Sequence, residues 1–442
     1  MTFLHCARGL SGRRRCALGS DAREWEPSQL REFQAESQRD PELARKAEQA
    51  GGATGELEPD QALPAFPKTA FRGLFAKYRD VMRRCSEASD VYHFTALWSA
   101  LGNALGRRVW FPYGMKLYAN TYMIAFGPTG DFKTSACRHG AGIIESAGLR
   151  VSRGVGSGEG ITDGLGEEPT LFFLEEFTSL LRQRRWEGST LLSVFTEIFD
   201  CPECFERRYR KNPISLDHPV CSVLAGTIAA WFWRDVREMD FEGGFGNRFI
   251  YLTGPPNEPV PRPSIPDLGF AVEAIRTLKN VPEQETALDA GAEKLWDRFY
   301  IAWRKERLSP LETAATKRVP SYSLKLAMVY AALEDTIPVI RAEQLSAAIL
   351  VVSYASQCLR QLIGERYSGA NAHRELEKRI QAAVSRAPGC TITKRELCRA
   401  LARHYQNAEH FNRVFDSLVR AGDIYTRPQG RGRVLVSTQP FD

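Results

Sequence analysis

The chain has 442 residues, 43% of them hydrophobic and 25% charged, enough to bury a large core and to divide into two to four domains. No run of about 18 apolar residues is present, and Met1–Cys16 is basic without the apolar stretch of a secretory signal, so neither a membrane span nor export is expected. Ten scattered cysteines suit a reducing, cytoplasmic setting, and all of the net charge of +6 sits in residues 371–442, with thirteen Lys and Arg against seven Asp and Glu.

Residues 1–60 are polar and rich in Arg, Glu, Gln and Ala, which reads as a disordered or loosely helical arm. Between Phe66 and Gly106 the apolar residues recur at helical spacing, so residues 61–115 form a helical N-terminal segment. Residues 116–256 then alternate between strand-like and helix-like patterns. The strands are expected at Tyr122–Phe126, Leu149–Arg153, Leu171–Leu174, Val220–Leu224 and Phe249–Leu252, which makes a parallel α/β sheet with helical crossovers. Six prolines between Pro255 and Pro266 mark a linker. Residues 257–368 read as an all-helical lid, with helices at Phe270–Leu278, Ala287–Arg304, Ser321–Leu333 and Ala342–Ile363. A last boundary is expected at Ser368-Gly369-Ala370, before a C-terminal module over 369–442.

The first strand runs into Gly127-Pro128-Thr129-Gly130-Asp131-Phe132-Lys133-Thr134-Ser135. This is the phosphate-binding pattern G-x-x-x-x-G-K-[ST] with Phe132 in place of the last glycine. In such a loop the backbone N–H groups and the following helix N-terminus face the phosphates. Lys133 supplies the ammonium for the β/γ-phosphates of ATP, and Thr134 the hydroxyl for Mg²⁺. An acidic pair ending a buried strand completes this chemistry, and Thr170-LFFLEE-Glu176 provides one. Glu175 is assigned to the metal, reaching it through water where an Asp is usual, and Glu176 to the attacking water. Thr227, ending the fourth strand, is placed to touch the γ-phosphate or that water. Arg248, after the Gly-rich turn Glu242-GGFG-Gly246, stands where ring-forming AAA+ ATPases carry the arginine that enters a neighbour's site.

The ordered set GPTGDFKTS, GSGEGI (156–161), LFFLEEF, IFDCPE (198–203), VLAGT and GGFGNRF resembles the YfjI-like P-loop ATPases of phages, plasmids and prophages. The stretches LPAFP (63–67) and SLKLAMVYAAL (323–333) share the resemblance, which covers roughly Leu63 to Gln361. It implies a three-layer αβα P-loop NTPase core of AAA+ or RecA-like type. It also implies helicase-like action in replication of a mobile element, association with a primase, and a homo-oligomer that could close into a ring.

Other patterns weigh less. Cys201-x-x-Cys204 and His218-x-x-Cys221 offer zinc-type donors, but the odd offset at the start of the fourth strand points His218 and Cys221 to opposite faces, so metal is not expected there. Gly154–Thr162 reads as a Gly-rich connector, and Arg318 and Lys325 as surface cations that a lid could bring to the γ-phosphate. In the C-terminal module, Glu375–Arg386, Lys394–Leu401 and Ala408–Ala421 read as helices, the last capped by Asn407 and stopped by Gly422. A basic hairpin follows over Ile424–Ser437. Three helices and a hairpin make a winged helix, with Arg413, Arg427, Arg431 and Arg433 as candidate DNA contacts. The expected protein is an ATP- and Mg²⁺-dependent enzyme acting on DNA. Two other readings stay open: an ATP-controlled switch or defence component without unwinding, and a DNA-binding regulator whose core only oligomerises.

Overall fold

Five strands form the centre of the protein: β1 (Tyr122–Phe126), β2 (Arg150–Arg153), β3 (Thr170–Leu174), β4 (Cys221–Thr227) and β5 (Phe249–Leu252). The computed structural model describes residues 63–442 apart from 156, 166–167, 184–189, 209–212, 307, 403, 406–407, 430–432 and 441–442, and describes 365–375 by backbone alone. The expected arm over 1–60, the Asn407 cap and Arg431 lie outside the described residues. All five strands pair in parallel, in the order β2-β3-β4-β1-β5. Four of them are buried along their whole length, which is why their sequences are continuous apolar runs without alternation. The fifth, β2, is an outer strand reading Arg-Val-Ser-Arg, and its terminal arginines are exposed.

Helices cover the sheet. Helix α1 (Asp90–Leu105) starts at Ser89, whose hydroxyl accepts from Val91 N–H, and stops at Gly106 in a left-handed conformation. From Val91 to Leu105 every residue is buried, so α1 is a core helix, covered on all sides even at His93, Thr95, Ser99 and Asn103. Helix α2 (Lys133–Ser146) follows β1 and lies against α1, and Gly140 permits the approach, since a Cβ there would stand 2.8 Å from the Ala96 carbonyl oxygen. Helix α3 (Val319–Leu333) sends Tyr322 into the sheet between β1 and β5. Its hydroxyl accepts from Tyr122 N–H at 3.0 Å and donates to the Arg248 carbonyl at 2.5 Å. Residues 63–363 thus contribute to one hydrophobic core, and the Pro-rich 255–266 stretch runs over its surface beside the start of α1.

Helix α4 (Ala342–Arg386) changes two expectations. It runs for 45 residues without a break through Ser368-Gly369-Ala370, so no boundary between elements falls there. A single glycine costs a helix only about 1 kcal/mol, too little to end one anchored at both ends. What changes along α4 is the core it serves: Leu359, Leu362 and Ile363 belong to the large cluster, while Leu376, Ile380 and Val384 belong to a second one. The segment Ala342–Gly364 is long and apolar enough to cross a membrane by length and composition, but 78% of its apolar window is buried against the rest of the chain.

The 257–368 region is also not helical throughout. Gln284–Glu285 pairs in parallel with Val109–Pro112, which in turn pairs with Lys116–Tyr118, and Ala287–Leu288 pairs with Val339–Ile340. The C-terminal unit adds β6 (Thr391–Thr393), α5 (Lys394–Ala400), α6 (Ala408–Ala421), β7 (Tyr425–Gln429) and β8 (Arg433–Ser437) to the end of α4. The three strands form an antiparallel sheet in the order β6-β8-β7. Phe411, Val414, Phe415 and Leu418 of α6 fill the second core, as their spacing predicts.

One buried group gives the fold a pH dependence. His93 of α1 is wedged between Tyr78 and His139, and both of its ring nitrogens are buried without a hydrogen-bond partner. Burial, assisted by the neighbouring His139, pushes its pKa down to about 3. Between its ordinary value and about 3 the unfolded chain binds a proton that the native state refuses, so stability falls as pH falls through this window, by about 1.4 kcal/mol per unit. Urea midpoints recorded from pH 7.5 to 5 should drop in the native sequence and drop less in His93→Met. Identical slopes would assign the acid sensitivity elsewhere.

Candidate functional site

The parallel sheet sends the chain to one side of β1 through α2 and brings β5 in on the other, so the crevice beyond the carboxyl end of β1 is a topological switch point. The loop Gly127–Phe132 lies there. Gly127 N–H donates to the Thr227 carbonyl at 3.3 Å, extending the β1–β4 ladder by one bond into the loop. Phe132 occupies the N-cap place of α2 with φ +54° and ψ +15°, the left-handed conformation that glycine adopts most cheaply. Phe132 thus takes a conformation that glycine favours, and its ring is turned outward, 50% exposed. No side chain caps the first turn of α2, so its N–H groups have no intrahelical partner and are open to an anion.

Lys133, Thr134, Glu176 and Thr227 converge on this loop. Lys133 is buried to 8% exposure, and its ammonium donates to the Pro128 carbonyl at 2.9 Å, folding back across the loop. Burial lowers its pKa, and the nearby carboxylates of Asp131 and Glu176 work against that shift. Thr227 is fully buried, and its hydroxyl donates to Glu176 Oε1 at 2.9 Å. The same oxygen accepts from Thr178 N–H at 3.1 Å and the Thr178 hydroxyl at 3.0 Å, so Glu176 is held by three donors at the end of β3. Thr134 lies beside the β4 terminus: a Cβ on Gly226 would stand 3.7 Å from its hydroxyl and 3.2 Å from the Glu175 carbonyl oxygen.

The chain matches no protein-family model and no curated protein.

Two residues that the motif does not contain shape the site. Tyr92 of α1 donates to the Phe126 carbonyl at 3.0 Å, and its hydroxyl lies 3.4 Å from Asp131 Oδ2 and 3.3 Å from the Thr253 hydroxyl. A Cβ on Gly127 would meet that hydroxyl at 2.2 Å, so the first loop glycine is demanded by Tyr92. Arg138, five residues beyond Lys133, forms a bidentate pair with Glu175, both bonds at 2.9 Å. Arg138 could be anticipated, because it lies on the α2 face one turn past the motif; nothing in the sequence distinguishes Tyr92 from the other aromatics of α1.

The assigned metal pair fits a hard cation in chemistry, with one hydroxyl and one carboxylate oxygen. Glu175 is half-exposed and engaged by Arg138, and it must leave that partner to ligate. Among the described residues no group of three or more His, Cys, Asp or Glu could hold a metal ion. A Mg²⁺ ion here would take most of its ligands from phosphate and water, as that ion commonly does.

Arg248, Arg318 and Lys325 are elsewhere. Arg248 precedes β5, at the amino edge of the sheet, where it is 11% exposed and bonded to Asp200 at 3.0 Å and to the Gly244 carbonyl at 2.6 Å. Arg318 pairs with the same Asp200 at 2.7 Å, and Lys325 is buried against Asn120. Within one chain none of the three reaches the loop, and Lys325 is a core residue where a surface cation was expected. The Cys and His set is likewise dispersed. Cys221 is buried on the Tyr122 hydroxyl, Cys204 is exposed beside Glu206 and Ser215, and the His218 ring pairs with Glu203.

In the C-terminal unit Arg413 on α6 and Arg427 on β7 are exposed, and Arg433 is described by its backbone in β8.

The left-handed Phe132 carries a measurable cost, about 1–2 kcal/mol for a residue with a Cβ. Phe132→Gly should leave the urea midpoint unchanged or raise stability by up to about 1 kcal/mol, because the greater chain entropy of glycine offsets part of the gain. A loss of stability would show that the exposed ring holds the loop.

Proposed function

We propose that the chain is an ATPase that binds ATP at Gly127–Thr134 and acts on DNA through its C-terminal unit. The observation that carries this reading is the convergence of Lys133, Thr134, Thr227 and Glu176 around an uncapped helix N-terminus at the carboxyl edge of a parallel sheet. The strand order, with β4 between the loop strand and the acidic strand, supports a P-loop core of the AAA+ or RecA-like type.

In this mechanism the N–H groups of the loop and of the first turn of α2 hold the phosphate oxygens. The Lys133 ammonium exchanges the Pro128 carbonyl for the β/γ-phosphates, a stronger, charge-assisted contact. Mg²⁺, when bound, offsets the charge developing on the phosphate oxygens. Thr134 and Glu175 are the residues that would hold it. Glu176, fixed by Thr178 and Thr227, keeps one carboxylate oxygen for orienting and deprotonating the attacking water. The Thr227 hydroxyl sits between that carboxylate and the loop. Arg248 takes no part within one chain, and completing a neighbour's site would require it to leave Asp200.

The C-terminal unit, with α6 and the β7–β8 hairpin on a shared core, fits a winged helix, and its charge surplus suits the DNA backbone. Arg413, Arg427, Arg431 and Arg433 are its contacts in this reading.

A second reading, an ATP switch with slow turnover and no unwinding, is favoured by two contacts of the site with itself. Lys133 is spent on Pro128, and Glu175 on Arg138. Strand-displacement assays with and without ATP separate it from a helicase.

Lys133→Ala should lower ATP turnover by about 100-fold or more, and Glu176→Gln should lose turnover while retaining nucleotide binding. Hydrolysis unchanged in Lys133→Ala would overturn the assignment of the site. For DNA, the double variant Arg413→Ala/Arg427→Ala should reduce the slope of log affinity against log salt by about two. An unaltered slope would remove these arginines from the interface.

A further inference from the structure

The amino edge of the sheet, opposite the loop, holds a cleft that the proposed ATPase chemistry does not use. Its roof is the hairpin over Val109–Tyr118, its floor is Phe199-Asp200-Cys201, and its wall is Lys317, Arg318, Ser321 and Lys325 at and before the start of α3. The charges lining it are unbalanced. Lys116, Lys317, Arg318 and Lys325 face a single carboxylate, Asp200. Asp200 is already committed: Arg318 pairs with it at 2.7 Å and Arg248 at 3.0 Å.

Lys325 is the informative residue. Only 1% of it is exposed, yet its ammonium has no carboxylate within hydrogen-bonding distance and donates instead to the Asn120 carbonyl and side-chain oxygens, both at 2.8 Å. An ammonium has three N–H donors, so one is left over after these two bonds. The Phe199 ring lies against Lys325 at 4.6 Å, Arg318 at 5.1 Å and Arg248 at 5.7 Å, which gathers three cations about one aromatic ring. Burial lowers the Lys325 pKa to about 8, which leaves the group mainly charged at neutral pH. Asp200, the carboxylate that acts on the buried Lys325, is shared with Arg318 and Arg248, so an anion in the cleft would add the counter-charge that this group of cations lacks.

We propose that this cleft binds a small phosphate-bearing anion, either inorganic phosphate or a phosphomonoester, through Lys325, Arg318 and Lys317. A surplus of three positive charges suits a dianion, and a phosphate gathers its charge on three oxygens of one atom, where succinate spreads it over two separated carboxylates. The cavity of about 240 Å³ is smaller than the roughly 300–1,000 Å³ that hold whole drug-sized ligands, so it takes a phosphate with a small substituent and not a complete nucleotide. It is distinct from the loop site, because β1 separates the two by five residues of about 3.3 Å rise each.

The test uses the full chain carrying Lys133→Ala, which leaves the cleft intact and disables the loop. Calorimetric titration with inorganic phosphate, with glycerol phosphate and with succinate, at constant ionic strength, should show saturable binding of the first two and none of the third. The tighter of the two phosphates identifies the natural source as free phosphate or an ester. Adding Arg318→Gln or Lys325→Met should weaken phosphate binding by about tenfold or more. Because Lys325 is buried and its replacement could prevent folding, Lys317→Ala, at an exposed side chain, provides an independent variant with the same expected direction. Equal affinity in all variants, binding of succinate as strong as that of phosphate, or no saturable binding at all would each overturn the proposal.

Discussion

The hydroxyl of Tyr92 is the contact on which the geometry of the site depends. It sits where three segments meet: the end of β1 at Phe126, the loop at Asp131, and the end of β5 at Thr253. Its closeness to Gly127 leaves no room for a Cβ, so the loop can follow its path only with glycine at that position. Thr253 is in turn bonded through its carbonyl to the Tyr354 hydroxyl of α4 at 2.7 Å. The loop, the N-terminal helix and the long helix that supports the C-terminal unit are therefore joined by successive hydrogen bonds around one buried phenol. This explains why residues 66–106 belong to the main core: α1 forms one wall of the site.

The sheet separates two kinds of chemistry by about its own height. At the carboxyl edge, uncapped N–H groups, one ammonium and a fixed carboxylate surround the loop. At the amino edge, Asp200 and three cations surround Phe199. Tyr322 ties α3 to the amino edge, because its hydroxyl is bonded to the backbones of Tyr122 at the start of β1 and of Arg248 just before β5. A parallel sheet makes this division unavoidable, since every residue that precedes a strand lies on the side opposite those that follow one.

That geometry also sets what could be read from the sequence. Four of the five strands were legible because buried parallel strands are written as unbroken apolar runs bounded by turns. The convergence of Lys133, Thr134, Glu176 and Thr227 was legible for a related reason: each follows a strand at a short interval, so all must emerge on one side. Arg248 was assigned to a neighbour's site, and Arg318 and Lys325 were read as surface cations that a lid could bring to the γ-phosphate; within one chain all three lie on the other side of the sheet, because they come before β5 or lie at and along α3. The helices expected at Ala342–Ile363 and Glu375–Arg386 are one, because turns of α4 packed in two separate cores carry the helix across Ser368-Gly369-Ala370, and the two cores still divide near that point. Strands of two or three residues, such as Gln284–Glu285, leave no periodicity to detect. Tyr92 left no trace at all, since a phenol in an apolar helix face looks like any other core aromatic.

Phe132 holds its left-handed conformation at a strain of about 1–2 kcal/mol, ahead of the uncapped first turn of α2. The contacts that occupy the functional groups are comparably small. An exposed pair such as Arg138–Glu175 contributes about 0–1 kcal/mol, and Lys133 to the Pro128 carbonyl is a single bond from a charge to a neutral acceptor. A phosphate bearing two or more negative charges offers Lys133 a stronger partner than a carbonyl does. The closed loop is thus a shallow resting arrangement, held by contacts weaker than those it would exchange them for.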